Sequence, residues 1–235
     1  MNFRPTLALT LVALAAAVVS APAAENKLTA AEKSAGWQLL FDGKTFNGWR
    51  TYAKKGAPIT GWEVVDGTLH ALPKSKGDQL LTVKKYKDFE FSWEWKLNPK
   101  GNNGVKYMVS EERTKTPGPE YQMLDDDGHP DGKLGPKRQT AAFYDVLPPS
   151  AERPIKKVGE WNLSKIVVRG KTVEHWLNGK NVLTYVLGSL EVKAGLAASK
   201  FATVAGFGDK IEGHILLTYH NDDCWYRNMK IRELK

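Results

Sequence analysis

The sequence has a single cysteine, Cys224, so no internal disulfide can form and the fold must be held by packing. Flanked by Asp223 and Trp225 in a strand-like run, Cys224 reads as a buried, inert thiol. The chain contains no GxGxxG, Walker loop, HExxH, paired CxxC or GxSxG. That removes the dinucleotide, P-loop, zincin, zinc-ribbon and α/β-hydrolase readings. Its five histidines, at 70, 129, 175, 214 and 220, never fall at the close spacings of a zinc motif. Although the formal net charge is +8, lysine and arginine are scattered among acids with no concentrated basic face. Nucleic acid is therefore not the expected partner. There is no fixed repeat, low-complexity tract or long linker, and helical periodicity is nearly absent after the first two dozen residues.

What is present begins with Arg4, an apolar run from Leu7 to Val19 and the small-residue stretch SAPAA. This is the layout of a secretory signal peptide over residues 1–23, cleaved after an A-x-A pair. The run is too short and alanine-rich for a stable membrane anchor. The expected location is export, to the periplasm or the exterior. Residues 24–35 read as a linker with a short helical turn over Thr29–Ser34 capped by Thr29. Residues 36–235 read as one domain.

Across that domain, short aromatic and β-branched runs recur between turn signals: WQLLF, WEVVDGTLHA, DFEFSWEWKL, GVKYMVS, EYQMLD, AAFYDVL, WNLSKIVVRG, TVEHWLNGKNVLTYV, HILLTYH and CWYRNMKIREL. In DFEFSWEWKL, Phe89, Phe91, Trp93 and Trp95 share one face and Glu90, Ser92, Glu94 and Lys96 the other. In the last run Trp225, Arg227, Met229 and Ile231 alternate with Tyr226, Asn228, Lys230 and Arg232. Trp93, Trp95 and Trp225 are expected in the core. Asp42-Gly43, Asp66-Gly67 and Asn178-Gly179 are each placed as two-residue hairpin turns. Many strands, hairpins and no crossover helices predict an all-β fold, a two-sheet antiparallel sandwich of jelly-roll type.

The segment from Gly118 to Asp131, GPEYQMLDDDGHPD, carries the strongest chemical signal. Glu120 and Gln122 stand two residues apart and share a strand face, with Tyr121 and Met123 on the other. A polar strand face beside Asp125, Asp126, Asp127, His129 and Asp131 suits a lined cleft; an edge strand with its polar face in water fits the spacing equally. The acidic loop could hold a hard cation, but it lacks the EF-hand order and closing glutamate. The loop from Gly128 to Thr140 has the length of a binding loop. Two further groups stand out. In NNGVKY, Asn103, Val105 and Tyr107 oppose Lys106. In TYHNDD, His220 follows a strand end beside acids that could set its tautomer. Aromatics and amides across a sheet suit sugar recognition. His175, inside VEHWLNG, reads as a surface or satisfied buried histidine.

The ordered set LLFDGKTFNGW, GWEVVDGTLH, DFEFSWEWKL, NNGVKY, PEYQMLDDDGHPD, AAFYDVLPPS, GEWNLSKIVVRG, EHWLNGKNVLTY, GHILLTYH and CWYRNMKIREL resembles the 3-keto-disaccharide hydrolase family from about Gly36 onward. The resemblance implies a concanavalin A-like jelly roll of the lectin and glucanase type. It also implies a small-molecule carbohydrate substrate already oxidised to a ketone at sugar carbon 3. One departure is Leu217-Thr218-Tyr219-His220, where relatives carry glutamine at the position of Thr218. Such a substrate needs a base, expected in Glu120 or His220, and an enolate stabiliser, expected in Lys106 or a possible divalent cation held among Glu120, Asp125 and His220. Asn103, Gln122, Asp125, Tyr144 and Thr218 are the expected substrate contacts. The rival readings are a non-catalytic carbohydrate-binding module on the same fold and a structural sandwich without sugar binding.

Overall fold

The computed structural model describes residues 26–52, 54–113 and 118–235. The signal-peptide reading of residues 1–23 lies outside them. Thr29 does cap a short helix, α1 (Ala30–Ser34): its hydroxyl accepts from the Glu32 N–H while the Glu32 carboxylate accepts from the Thr29 N–H, a capping box.

The architecture is an antiparallel sandwich of two sheets, a concanavalin-like jelly roll. Its strands are β1 (Gln38–Leu39), β2 (Trp49–Thr51), β3 (Trp62–Val65), β4 (Thr68–Ala71), β5 (Leu80–Thr82), β6 (Phe89–Leu97), β7 (Asn102–Val109), β8 (Glu120–Leu124), β9 (Asn162–Arg169), β10 (Thr172–Leu177), β11 (Lys180–Val186), β12 (His214–Leu217) and β13 (Cys224–Glu233). The eight-stranded sheet runs β11-β10-β9-β6-β13-β4-β3, with β1 also paired to β13; the five-stranded sheet runs β2-β5-β12-β7-β8. Between them lies the core. Phe89, Phe91, Trp93 and Trp95 of β6 meet Val105 and Tyr107 of β7, Tyr121 and Met123 of β8, and Ile215 and Leu217 of β12. Burying such aromatics supplies most of the stability, and truncating one to alanine costs about 3–5 kcal/mol. Their polar atoms are satisfied inside: the Trp95 indole N–H donates to Ser164 Oγ at 2.8 Å, and the Trp93 indole N–H meets Met123 Sδ at 3.3 Å.

Five sequence expectations need correction. Asp66-Gly67 and Asn178-Gly179 do turn hairpins, β3–β4 and β10–β11. Asp42-Gly43 does not, because Asp42 Oδ1 accepts from the Lys44 and Thr45 N–H groups at 2.8 and 2.7 Å and the chain passes from one sheet to the other. The simple alternation of β13 fails at a bulge between Arg227 and Lys230, where Asn228 has φ 51°. That extra residue puts Tyr226, Met229 and Ile231 together in the core. Trp225 therefore lies outside the core, stacked on His70 at 4.4 Å with Lys96 over its ring at 4.7 Å. AAFYDVL forms no regular strand; Ala141 and Asp145, at φ 68° and 62°, break the pleat and leave isolated bridges at Phe143. Finally, a helix α2 (Leu190–Ala197) is present, started by Ser189 Oγ accepting from the Val192 N–H. Only Val192 and Gly195 of it are buried, so it leaves no apolar stripe to read.

Cys224 is fully buried, and burial pushes its thiol pKa up, as expected of an inert side chain. His175 is likewise satisfied inside: its Nδ1–H donates to the Ala141 carbonyl at 2.9 Å, so Nε2 accepts from the Tyr107 hydroxyl at 2.8 Å. Tyr185 then donates to Tyr107, closing a buried relay. Among the described residues, no helix is long and apolar enough to cross a membrane.

Candidate active site

The site lies on the outer face of the five-stranded sheet. Val105, Tyr107, Tyr121 and Met123 fill the core side of β7 and β8, so alternation turns Asn102, Gly104, Lys106, Glu120 and Gln122 outward. Register completes the arrangement by pairing Lys106 with Glu120 and Gly104 with Gln122. Lys106 Nζ stands 3.5 Å from Glu120 Oε2, both side chains largely shielded from solvent. Gly104 is what leaves room for that carboxylate. A Cβ there would fall 2.2 Å from Glu120 Oε1, far inside contact distance. Its φ is not in the left-handed region, so glycine is required by crowding and not by backbone conformation.

The residues from Gln139 to Leu147 run along the free edge of β8. Tyr144 donates its backbone N–H to the Glu120 carbonyl at 3.0 Å, and the Ala141 N–H donates to that of Gln122 at 2.8 Å. This brings Tyr144 beside Glu120. Its hydroxyl donates to Asp131 Oδ2 at 2.6 Å, and Arg138 donates to Asp131 and Asp145, each at 2.8 Å. Lys200 closes the ring. Its backbone N–H donates to Asp145 Oδ2 at 2.8 Å, and its Nζ donates to the Tyr144 oxygen at 3.2 Å while lying 4.2 Å over the Tyr144 ring. Helix α2 sets this position by packing Gly195 against Val146, where a Cβ would meet the Val146 carbonyl at 2.7 Å.

On the other side, His220 follows the end of β12. Asp222 accepts from the Asn102 N–H at 3.1 Å, while Asp223 holds His70 and Asn98 at 2.8 and 2.9 Å. The His220 ring reaches solvent at the rim of the site, yet protein crowds it closely. That crowding pulls its pKa below the ordinary histidine value; the Glu120 carboxylate opposes the shift and Lys106 adds to it. Lys200 also reaches solvent, yet the protein packed around its ammonium lowers its pKa, against the pull of Glu120, Asp145 and Asp131. Burial, then the bond to Asp131, raises the Tyr144 phenol. For Asp131 burial acts upward, but the Tyr144 and Arg138 bonds outweigh it and hold its pKa below the usual carboxylate value.

Of the residues singled out in the sequence, Glu120, Lys106, His220, Gln122 and Tyr144 come together here. Asn103 does not. It faces the core, where its Oδ1 accepts from the Gly104 N–H, the Thr218 hydroxyl and the Tyr226 hydroxyl at 3.0, 3.0 and 2.8 Å. The outward amide is its neighbour Asn102. Thr218 is almost fully buried with its hydroxyl spent on Asn103, so it too is removed from the outer face. Asp125 is also committed elsewhere, accepting from the Lys100 and Gly128 N–H groups at 2.7 and 2.9 Å. Asp126 is held by Thr140 and Arg153. Asp125 and Asp126 thus satisfy backbone and guanidinium donors. Among the described residues no three His, Cys, Asp or Glu side chains converge as a metal site requires.

Among the described residues, two polar atoms on the site face have no partner: Gln122 Oε1 and Asn102 Oδ1 are buried acceptors without a hydrogen bond. Such atoms are rare and mark places where a ligand donor or water is needed. Asn102, Lys200 and Arg138 are the site residues that sequence reasoning missed, and Asp131 was named only as part of the acidic loop, without a role of its own. Asn102 was legible as the other half of an Asn-Asn pair. Lys200 carries no local signal, since only the packing of α2 brings it in.

Known proteins resemble this chain in sequence and in fold. The model of the 3-keto-alpha-glucoside-1,2-lyase-like domain matches residues 36–232. A 3-keto-disaccharide hydrolase of Bacteroides thetaiotaomicron is 37% identical over 230 residues, covering 85% of this chain and 79% of that protein. A crystal structure of a candidate glycosyl hydrolase from Parabacteroides distasonis superposes with TM-score 0.81 at 33% identity, over 90% of this chain and 100% of the other. A second such protein from the same species gives TM-score 0.67 at 25% identity, over 84% and 99%. With the match spanning nearly all of the described sandwich, the chain belongs to the 3-keto-alpha-glucoside-1,2-lyase-like family.

Proposed function

We propose that this protein is an exported enzyme that cleaves 3-keto-glycosides, 3-keto-disaccharides among them, by proton abstraction at carbon 2 followed by elimination at carbon 1. A ketone at carbon 3 acidifies the carbon 2 proton, because the resulting carbanion delocalises into an enolate. Glu120 takes that proton. Lys106, beside it, fixes the carboxylate and offers positive charge to the enolate oxygen. Gln122 and Asn102 use their unpartnered carbonyl oxygens to accept from sugar hydroxyls. Water adding to the enone converts elimination into net hydrolysis, which accommodates both the lyase and the hydrolase named among its relatives. His220 stands at the rim, largely neutral at pH 7, where it can relay protons or act as base in place of Glu120. The leader at residues 1–23 supports export.

One observation carries this reading: a shielded carboxylate paired with a lysine on an outward sheet face, beside a glycine that admits it. The test is cleavage of a 3-keto-disaccharide and of its unoxidised parent by wild type, Glu120→Gln and His220→Ala, with and without chelator. Cleavage of the keto sugar alone, lost in Glu120→Gln, is expected. Full activity in both variants would remove this site. Binding without turnover would make the protein a carbohydrate-binding module.

A further inference from the structure

Glu120 is flanked on two sides. Lys106 stands on β7, one strand inward, while Tyr144 and Lys200 stand along the outer edge of β8. A sugar whose carbon 2 sits over Glu120 must place carbon 1 and carbon 3 on opposite sides of it. The two flanks therefore serve different atoms: one the carbon 3 oxygen, the other the departing oxygen on carbon 1. Lys106, ion-paired to Glu120, suits the enolate. The outer flank needs a proton donor, and its members are not equivalent. Tyr144 has its proton committed to Asp131. Arg138 is committed to two carboxylates and does not release a proton. Lys200 is the remaining cation. Its Nζ uses one donor on the Tyr144 oxygen and lies over the Tyr144 ring.

Resting on the function proposed above, we infer that Lys200 is the general acid that protonates the leaving oxygen, with Tyr144, Asp131 and Arg138 positioning it. In balanced form, the Glu120 carboxylate takes the carbon 2 proton, and the C–H pair forms the enolate with charge on the carbon 3 oxygen. Its collapse restores the ketone, forms the carbon 1–carbon 2 double bond and breaks the carbon 1–oxygen bond. The departing oxygen takes a proton from the Lys200 ammonium. Glu120 ends protonated and Lys200 neutral, and a proton passes from one to the other through solvent. The crowding that lowers the Lys200 pKa makes its ammonium a better donor than an ordinary lysine.

The test compares wild type, Lys200→Met and Lys200→Arg on methyl and 4-nitrophenyl 3-keto-glucosides, with melting curves for each protein. Lys200 is solvent-exposed, and its bond to Asp145 comes from the backbone, so both variants keep that anchor. An alkoxide needs a proton to leave, whereas nitrophenolate leaves unaided. Lys200→Met should lose about 10²–10⁴-fold on the methyl glycoside and under about tenfold on the nitrophenyl one. Lys200→Arg should behave the same way, because arginine keeps the charge and holds the proton. Equal losses on both substrates, recovery of the methyl glycoside by arginine, or no loss at all would overturn the assignment. A wild type inert toward both substrates would refute the underlying function, and this assignment with it.

Discussion

Replacing Gly104 with alanine perturbs Glu120 without touching it chemically. The new Cβ would start 2.2 Å from Glu120 Oε1 and 3.0 Å from its Cδ and Cγ, with no other group among its nearest contacts. Ordinary contact lies near 3.5–4.0 Å, so the carboxylate must retreat by about 1 Å or more. The backbone accepts the change: Gly104 does not have a positive φ, and restricting the unfolded chain favours folding by about 0.4–1 kcal/mol. The strain falls on the movable end of Glu120 and its pair with Lys106. A displacement of about 1 Å at a reacting group costs about 100-fold, or about 2.7 kcal/mol of barrier. Steady-state kcat/KM on a 3-keto-disaccharide, read beside a thermal melt, separates chemistry from folding. The expected result is a melting temperature near wild type with kcat/KM down about two orders of magnitude. Wild-type activity in Gly104→Ala would refute the claim that Glu120 works from this position.

Other perturbations should divide cleanly between folding and function. Asn103→Ala strips the acceptor shared by Thr218, Tyr226 and the Gly104 N–H; denaturant unfolding should show a loss of about 1–3 kcal/mol, with KM little changed. Asp125→Ala should likewise cost about 1–2 kcal/mol by freeing the Lys100 and Gly128 N–H groups, without making turnover responsive to added divalent cation. His175 has its folded pKa depressed by burial to about 4, so the unfolded chain takes up its proton first as pH falls. Its contribution is complete above about pH 6.5 and is lost toward pH 4, on the order of 3 kcal/mol. Melts across that range should fall more steeply for wild type than for His175→Gln, and parallel curves would contradict the assignment.

The sandwich was legible because its strands carry period-two patterns strong enough to survive local irregularity. Phe89, Phe91, Trp93 and Trp95 occupy the core as their spacing requires. Where a bulge inserts a residue, the pattern misleads: Asn228 shifts β13 by one, so Tyr226 turns in and Trp225 out. No bulge disturbs NNGVKY: its alternation puts Asn103 on the face of Val105 and Tyr107, which is the core face, and leaves Asn102 outward with Lys106. Glu120 and Gln122 could be placed on one face from spacing alone. Their neighbours Lys200, Arg138 and Asp131 could not, because edge packing and a short helix without an apolar stripe bring them in. In the acidic loop, Asp125 and Asp126 accept from backbone N–H groups and from Arg153, contacts that residue spacing alone does not announce.

The most direct measurement is the fate of the carbon 2 proton. A 3-keto-disaccharide turned over in deuterated water, sampled by proton NMR before uncatalysed exchange sets in, should yield 3-keto-glucose bearing deuterium at carbon 2, and Glu120→Gln should yield almost none of it. Product that retains its original carbon 2 proton, released at full rate, would contradict abstraction by Glu120 and the elimination built upon it.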